Sequence, residues 1–595
     1  MIKTYRRIWG LFTQQERRRF LLLMLATFVM SVFEVAGVGA IMPFLAALAD
    51  PTLFDTNPAL RMFTALFGLD TPQAAMIGLG VAVLAIVVVG MGVRALVTYF
   101  QFRFALMRAY SLASRLLHGY LSQDYVWYLS RNSSDLSTNL LSEVDLVVRD
   151  SILPLVLAFS NLLVVVMIGV LLFLVSPGVA IGATGLLAAV YLSVFWALRN
   201  RMARLGEQRV KANQARFLAV QEITGGLKML KVMGTEAQSL RRFRIPAQAL
   251  AEFQTVTQVM GRLPRFAVEG AFYAGFVLMV LVLVLVRGQG VTSLLPLFGL
   301  LGMAATRLFP ALQTFYQTLA RMRVSAPALM RLEKELTEMK QRPLPEDMTP
   351  PLPLENELAL VDLHFSYPEG NHPTLQGLDL AIPARSTVGL VGGTGAGKTT
   401  IIDVILGLLQ PDAGALTVDG VALTPDTLRA WQQNIGYVPQ HIFLLDDSVA
   451  ANIALGDPAG PDMAKVERAA RIAHLHDFIT SELPDGYDAR VGERGVRLSG
   501  GQQQRIGIAR ALYRDPEVLV LDEATSALDT LTEKAVMQAV NDLAGAKTII
   551  MIAHRLSTVR NCDRIFLLER GAIVAAGSYD QLMTDSERFR QMVDV

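Results

Sequence analysis

Cysteine is almost absent from this chain: 595 residues carry one, Cys562. A lone thiol excludes an internal disulfide, a paired redox motif and a cysteine metal cage, and it fits a cytosolic setting for the region that holds it. Charge is scarce too. Asp, Glu, Lys and Arg supply 18% of the residues against 52% apolar ones, and the mean hydropathy is +0.40. A soluble enzyme carries about 25% charged residues, so much of this chain must face something other than water. The length exceeds what one core accommodates. The net charge of +2 argues neither for nor against a polyanionic partner such as nucleic acid, and its distribution says more. A cleavable secretion signal is not evident either. The first apolar run, Phe20 to Ala49, is about twice the roughly 7–15 residues of a signal core and ends without a small-residue cleavage site. It reads as a retained membrane span.

What the first half does contain is apolar length. Six stretches, near 20–49, 74–99, 152–175, 178–198, 266–287 and 291–320, each approach or exceed the roughly 20 residues that cross a bilayer as a helix. The third and fourth are parted by Ser176-Pro177-Gly178, and the fifth and sixth by Arg287-Gly288-Gln289-Gly290, so both pairs read as tight hairpins. Basic residues set the orientation. Lys3, Arg6, Arg7 and Arg17 to Arg19 precede the first span, and Arg199, Arg201, Arg204, Arg209, Lys211 and Arg216 follow the fourth. The segment between spans one and two holds Asp50, Asp55 and Asp70 against Arg61 alone. Both termini and the two long connections are therefore expected on the cytoplasmic side. Those connections, 100–150 and 200–262, carry apolar residues at helical spacing, as in Phe217, Val220, Ile223 and Leu227, and read as helices continuing out of the membrane. A Pro-rich stretch from Arg342 to Pro353 reads as a linker. Beyond it, short β-like runs alternate with helices, the pattern of an α/β domain with a mostly parallel sheet. The expected organisation is a membrane domain over 1–340, a linker over 341–356 and an α/β domain over 357–595.

The α/β half carries the sharpest chemistry. Gly392-Gly393-Thr394-Gly395-Ala396-Gly397-Lys398-Thr399 follows an apolar strand and, with Thr400, opens a helix. Glycines in that context turn backbone N–H groups inward around phosphates, where the helix N-terminus adds positive potential. Lys398 can reach the terminal phosphates of ATP, and Thr399 can hold Mg²⁺. A second apolar run, Val518 to Leu521, delivers Asp522 and Glu523 to a strand end. Asp522 is suited to binding Mg²⁺ and Glu523 to polarising the attacking water.

Leu498-Ser499-Gly500-Gly501-Gln502, about 20 residues before Asp522, resembles the signature motif of ABC transporters, and the resemblance covers essentially the whole chain. It implies a helical membrane domain of six spans with long cytoplasmic extensions, followed by a P-loop ABC ATPase domain. It also implies roles for further residues. Tyr367 resembles the aromatic that stacks on adenine, and Gln440 the Q-loop glutamine that senses Mg²⁺ and the membrane half. Asp529, in Ser526-Ala527-Leu528-Asp529, resembles the D-loop acid, and His554 the switch histidine at the γ-phosphate. Glu493-Arg494-Gly495 resembles an element of exporters. In the family, Ser499, Gly500, Gly501 and Gln502 contact the ATP held by a second subunit. One copy of each motif, with Glu523 and His554 both present, therefore implies a homodimer with two competent sites. Segments 122–130 and 220–230 are expected to pass ATP-driven closure to the spans. The setting implied is a bacterial inner membrane with the ATPase domain cytoplasmic, and nucleic acid is not among the expected partners.

The cargo is less legible. Ionisable groups in spans are functional candidates because their burial costs roughly 2.5–3.5 kcal/mol or more. These are Glu34, Arg94, Arg265, Glu269 and Arg307. Three arginines facing one cavity would suit a pyrophosphate headgroup. The bland alternative has Arg94 and Arg265 snorkelling to the interface and Arg307 pairing with Glu34. Leu60, Phe63, Leu66 and Phe67 in the external segment 51–69 are spaced for an amphipathic helix on the outer leaflet. Together these features resemble flippases of lipid-linked oligosaccharides, with export of lipids, glycolipids or hydrophobic drugs as the alternative and an ATP-gated channel as a third reading.

Overall fold

The computed structural model describes residues 2–287, 291–340, 342–344, 349–368, 372–492, 495–523, 530–553, 555–556 and 558–593. The chain divides into two compact units: Met1–Gln123 with Arg131–Leu344, and Asp124–Ser130 with Pro345–Val595.

The first unit is helical. Helix α1 (Ile2–Leu11) leads into α2 (Gln14–Ala49), whose start is fixed by a reciprocal cap. Thr13 Oγ1 accepts from the Glu16 amide, and the Glu16 carboxylate accepts from the Thr13 amide. Short helices α3 (Leu53–Thr56) and α4 (Pro58–Phe67) follow, then α5 (Pro72–Leu121), α6 (Tyr125–Leu129), α7 (Ser133–Thr138), α8 (Val144–Val147), α9 (Leu153–Val175), α10 (Pro177–Gly225), α11 (Leu227–Met233), α12 (Glu236–Arg287) and α13 (Val291–Glu338). Two π-helical turns, Asn139–Glu143 and Val148–Ile152, flank α8. Helix α5 has 50 residues, a length of roughly 75 Å at 1.5 Å per residue. That is more than twice the roughly 30 Å hydrocarbon core. The same holds for α10, α12 and α13; α5, α10 and α12 extend as expected, and α13 adds an extension that was not expected. Among the described residues, Gln14–Ala49, Pro72–Leu121 and Ser133–Val175 are long and apolar enough to cross a membrane. The turn at Ser176 is as tight as expected, with Pro177 at the first position of α10. Residues 288–290 of the other hairpin lie outside the described residues.

The external segment differs from a simple surface helix. Leu60 is buried and Phe63 packs with it against Phe54, Ala75 and Leu79, while Met62, Leu66 and Phe67 remain exposed. Helix α4 is thus pinned by one apolar face and offers a second outward.

The second unit contains two sheets. Strands β1 (Glu357–Phe365), β2 (Leu375–Pro383), β4 (Ala413–Val418) and β5 (Val421–Ala422) form an antiparallel sheet in the order β2-β1-β4-β5. Strands β3 (Thr387–Gly392), β6 (Ile435–Val438), β7 (Val518–Asp522), β8 (Thr548–Ile552), β9 (Arg564–Glu569) and β10 (Ala572–Gly577) form the other, in the order β10-β9-β3-β8-β7-β6. All its pairings are parallel except that of the edge strand β10. The parallel sheet was expected and the antiparallel one was not. The physical difference is visible in burial. Strands β3, β7 and β8 are buried at every position, whereas β2 alternates, as a strand with one wet face must.

Two connecting segments belong to this unit. Leu354 is buried in its core, its amide bonded to Glu517 (2.7 Å), and the Leu352 carbonyl accepts from Asn434 Nδ2 (2.7 Å). The end of the expected linker is therefore fixed rather than free. Helix α6 lies in the same unit, with Val126 packed against the cluster that contains Ile401, Ile402 and Ile405.

Candidate functional site

Sheet register builds the site. Leu390 of β3 and Asp522 of β7 both align with Ile552 of the intervening β8, so they lie level at the same edge. Two strand spacings put them roughly 10 Å apart, at the carboxyl ends of parallel strands where such sheets bind ligands. The loop leaving β3 needs its glycines: Gly395 and Gly397 have φ of 80° and 102°, and a Cβ on Gly397 would approach Leu375 to 2.9 Å. It opens the helix Lys398–Ile405.

Lys398 is buried, and its Nζ donates to the carbonyls of Gly392 (2.7 Å) and Gly393 (3.0 Å). An ammonium has three donors, so one remains for a phosphate oxygen. Burial pulls this lysine below its ordinary pKa, and the facing charges of Glu523 and Asp522 oppose that pull. Thr399 is exposed at the helix start, and the buried Thr400 hydroxyl lies 3.3 Å from that of Tyr367. The half-buried Tyr367 ring meets Phe365 edge-on at 4.9 Å. Ala396 is buried in the core, while Gly393 and Thr394 are exposed at the loop tip.

Glu523 has a φ of 49°, a left-handed conformation in a residue with a full side chain. Such a residue costs on the order of 1–3 kcal/mol and persists where its surroundings impose it. Here its amide donates to the Ile552 carbonyl (3.3 Å) and Gln440 Nε2 donates to its carboxylate (2.7 Å). Gln440 thus holds the acid with its nitrogen and keeps its carbonyl oxygen for a cation. Thr399, Asp522 and Gln440 offer oxygen donors only, the set that a hard ion such as Mg²⁺ takes.

The signature residues form a second, separate feature. Ser499 caps the helix Gly500–Leu512: its Oγ accepts from the Gln502 amide (3.3 Å), and Gln502 Oε1 accepts from the Ser499 amide (2.8 Å). The amides of Gly500 and Gly501 at the helix start are left for an anion. Among the described residues no hydrogen bond or ion pair joins Ser499–Gln502 to the phosphate loop. Asp529, the rest of 524–529, Glu493, Arg494 and His554 lie outside the described residues.

Two groups near the loop were not singled out from the sequence. Tyr437 of β6 lies beside Asp522, and burial, followed by the charge of Asp522, pushes its phenol well above the ordinary value. Asp403, on the helix that opens at Lys398, is pushed up to about 6 by burial, with the charge of Asp522 adding to the effect. Tyr125 of α6 is raised by burial and then by the carboxyl of Asp403. An acid inside Ile401-Ile402-Asp403-Val404-Ile405 was the available signal.

In the first unit, Glu34 gathers two of the expected arginines. Arg94 lies 2.9 Å from its carboxylate and Arg307 4.0 Å. The three line one cleft with Phe33, Val87 and Met303. Arg265 is elsewhere: it pairs with Glu269 one helical turn away at 2.6 Å. The expectation of three arginines around one cavity is therefore not met, because Arg265 has a local carboxylate.

Known proteins bear on both units. The ABC transporter family matches residues 375–526, and the ABC transporter transmembrane region matches residues 20–294. A relative named ATP-dependent lipid A-core flippase, from Cupriavidus pinatubonensis, is 35% identical over 65% of each chain. The matched region thus spans just under two thirds of that relative. An uncharacterized ABC transporter ATP-binding protein of Sinorhizobium fredii is 34% identical over 81% of each chain. Among solved structures, a bacterial Atm1-family ABC exporter with ATP bound is similar with a TM-score of 0.76, at 24% identity and 97% coverage of both chains.

Proposed function

From the premise that the chain belongs to the ABC transporters, with a membrane region and an ATPase domain in one half-transporter, we propose that it is an exporter driven by ATP. Its cargo is an amphipathic lipid with an anionic headgroup, and within that class we favour a polyprenyl-pyrophosphate sugar. The observation that carries the cargo reading is the cleft in which Glu34 holds Arg94 and Arg307. Two guanidiniums against one carboxylate leave a net positive charge beside apolar walls, a match for a phosphate joined to a hydrocarbon tail. The flippase relatives carry a lipid in their names, which agrees with the class and leaves the sugar open.

Lys398 and the loop amides cradle the phosphates. Glu523, held by Gln440, orients water for attack on the γ-phosphate. Thr399, Asp522 and Gln440 would hold Mg²⁺, which would supply charge neutralisation at the transferred phosphoryl group. Because Ser499–Gln502 makes no bond to its own chain's loop among the described residues, a second copy brings its helix start to the phosphate, and the working unit is a homodimer in the bacterial inner membrane. Closure around ATP is passed to the spans by the segments 122–130 and 220–230. ATP drives the cycle to the extent that it binds the closed state more tightly than the open one.

The test is the hydrolysis rate of purified protein in lipid nanodiscs with added cargo. Stimulation by a polyprenyl-pyrophosphate sugar that Arg307→Ala weakens is the expected result. Stimulation by drugs or neutral lipids alone would replace the anionic-headgroup reading.

A further inference from the structure

A second cleft in the first unit lies away from the Glu34 site. It runs between the start of α2 and the distal part of α5, and holds about 460 Å³. Arg19, Arg103 and Arg108 edge it, and exposed Leu22, Phe100 and Met107 line its wall. Both helix segments are where spans one and two meet the cytoplasmic face. Arg19 directly precedes the first apolar run, and Arg103 follows the second. Arg19 is 15 residues before Glu34 on the same helix, roughly 22 Å away.

The charges here do not cancel. Arg108 is buried and ion-paired with Glu16, and the same carboxylate accepts from Ser111 Oγ (2.7 Å) and caps α2. Glu16 is therefore spent. Arg19 and Arg103 are exposed, and neither has an ion pair or side-chain hydrogen bond among the described residues. The wall between them is held in place. Phe12, Phe20 and Phe104 meet at tilted and edge-on angles in a buried cluster, and Arg115 donates to the Leu11 carbonyl at 2.6 Å. Two unspent cations stand over an apolar wall at the depth of a leaflet boundary. A free anion would use the cations and leave the wall wet. A lipid tail alone would leave the cations unused.

We propose that this cleft is a binding site for an anionic phospholipid of the cytoplasmic leaflet, one that stays bound rather than being transported. Its phosphate takes Arg19 and Arg103, and an acyl chain lies along Leu22, Phe100 and Met107. The bound lipid braces α2 against α5 at the base of the membrane domain. The proposal rests on the membrane reading of α2 and α5 and is independent of which cargo is exported.

Native mass spectrometry of the full chain, titrated with phosphatidylglycerol or phosphatidylcholine, tests it. The unaltered protein should retain phosphatidylglycerol in preference to phosphatidylcholine by roughly thirtyfold, about what two leaflet-facing cations at about 1 kcal/mol each supply. Arg19→Ala with Arg103→Ala should abolish the preference, and Arg19→Lys with Arg103→Lys should restore part of it. Arg18→Ala, outside the cleft, should leave it intact. An equal melting temperature of the double alanine variant in phosphatidylcholine shows that it is folded. Four results would overturn the proposal: no preference in the unaltered protein, a preference that survives the double substitution, full competition by inorganic phosphate, or loss of dimer in the double variant. The last would make the cleft a contact between copies.

Discussion

The two candidate sites hold their charges in opposite ways. In the second unit the backbone places each group: Leu390 of β3 lies level with Asp522 at the end of β7, Gly397 turns the loop, and Glu523 sits at a φ of 49°. In the membrane cleft, side chains hold one another. Glu34 has two arginine neighbours from other helices, and its position means little without them. Chemistry fixed by backbone tolerates little change in the acting atom but keeps its shape when that atom is altered. Chemistry fixed by mutual pairing loses its shape when one member goes.

The largest expected effect is at Glu523. Glu523→Gln should lower ATP hydrolysis by about 10²–10⁴-fold, the range for a positioned base, while a fluorescent ATP analogue still binds. If nucleotide binding were lost as well, the backbone-held picture would fail. Next is Glu34→Ala, which leaves two arginines without their carboxylate. Removing one partner of a fully buried pair costs about 3–5 kcal/mol. Arg94 is 46% exposed, so about 1–3 kcal/mol is expected, read as a lower melting temperature in nanodiscs. Glu34→Ala combined with Arg94→Ala should recover part of that loss, and no recovery would mean that the pair is not what holds the cleft.

Tyr437→Phe removes the hydroxyl beside Asp522. With that polar neighbour gone, the Mg²⁺ concentration for half-maximal hydrolysis should rise, by less than the loss of a full hydrogen bond to a charged group, about 1.5–3 kcal/mol, would give. The smallest effect is at Asp403, whose carboxyl moves from 3.8 up to about 6 on folding. The folded state holds this proton more tightly, so stability is lost as pH rises from 3.8 through 6 and the loss is complete above. Asp403→Asn should therefore stabilise the protein at pH 8 by on the order of 1 kcal/mol. Calorimetry should find the gain shrinking toward pH 5. A gain independent of pH would assign it to packing instead.

This contrast also explains what was legible. Lys398, Asp522 and Ser499 could be read from the chain because each stands at a fixed offset from a strand end or a helix start, and local backbone determines the rest. Long extensions on α5, α10 and α12 could be read because periodicity survives in one dimension. Arg265 could not be separated from Arg94 and Arg307, since span position says nothing about which face meets which helix. Its carboxylate, Glu269, was four residues away and had been placed among the candidates instead of its partners. The antiparallel sheet was missed because β1 and β2 alternate like any half-wet strand, and the pairing of β1 with β4 bridges about 50 to 60 residues. Asp403 was missed because an acid in an apolar helix gains meaning only from Asp522 and Tyr125, which other strands and α6 bring to it.

The most direct test of the central claim is ATP-dependent movement of a fluorescent polyprenyl-pyrophosphate sugar between leaflets of proteoliposomes. The account predicts flipping by the unaltered chain, none with Glu523→Gln, and a reduced rate with Arg307→Ala. Flipping that persists in the Glu523→Gln protein, or that is indifferent to Arg307, would contradict it.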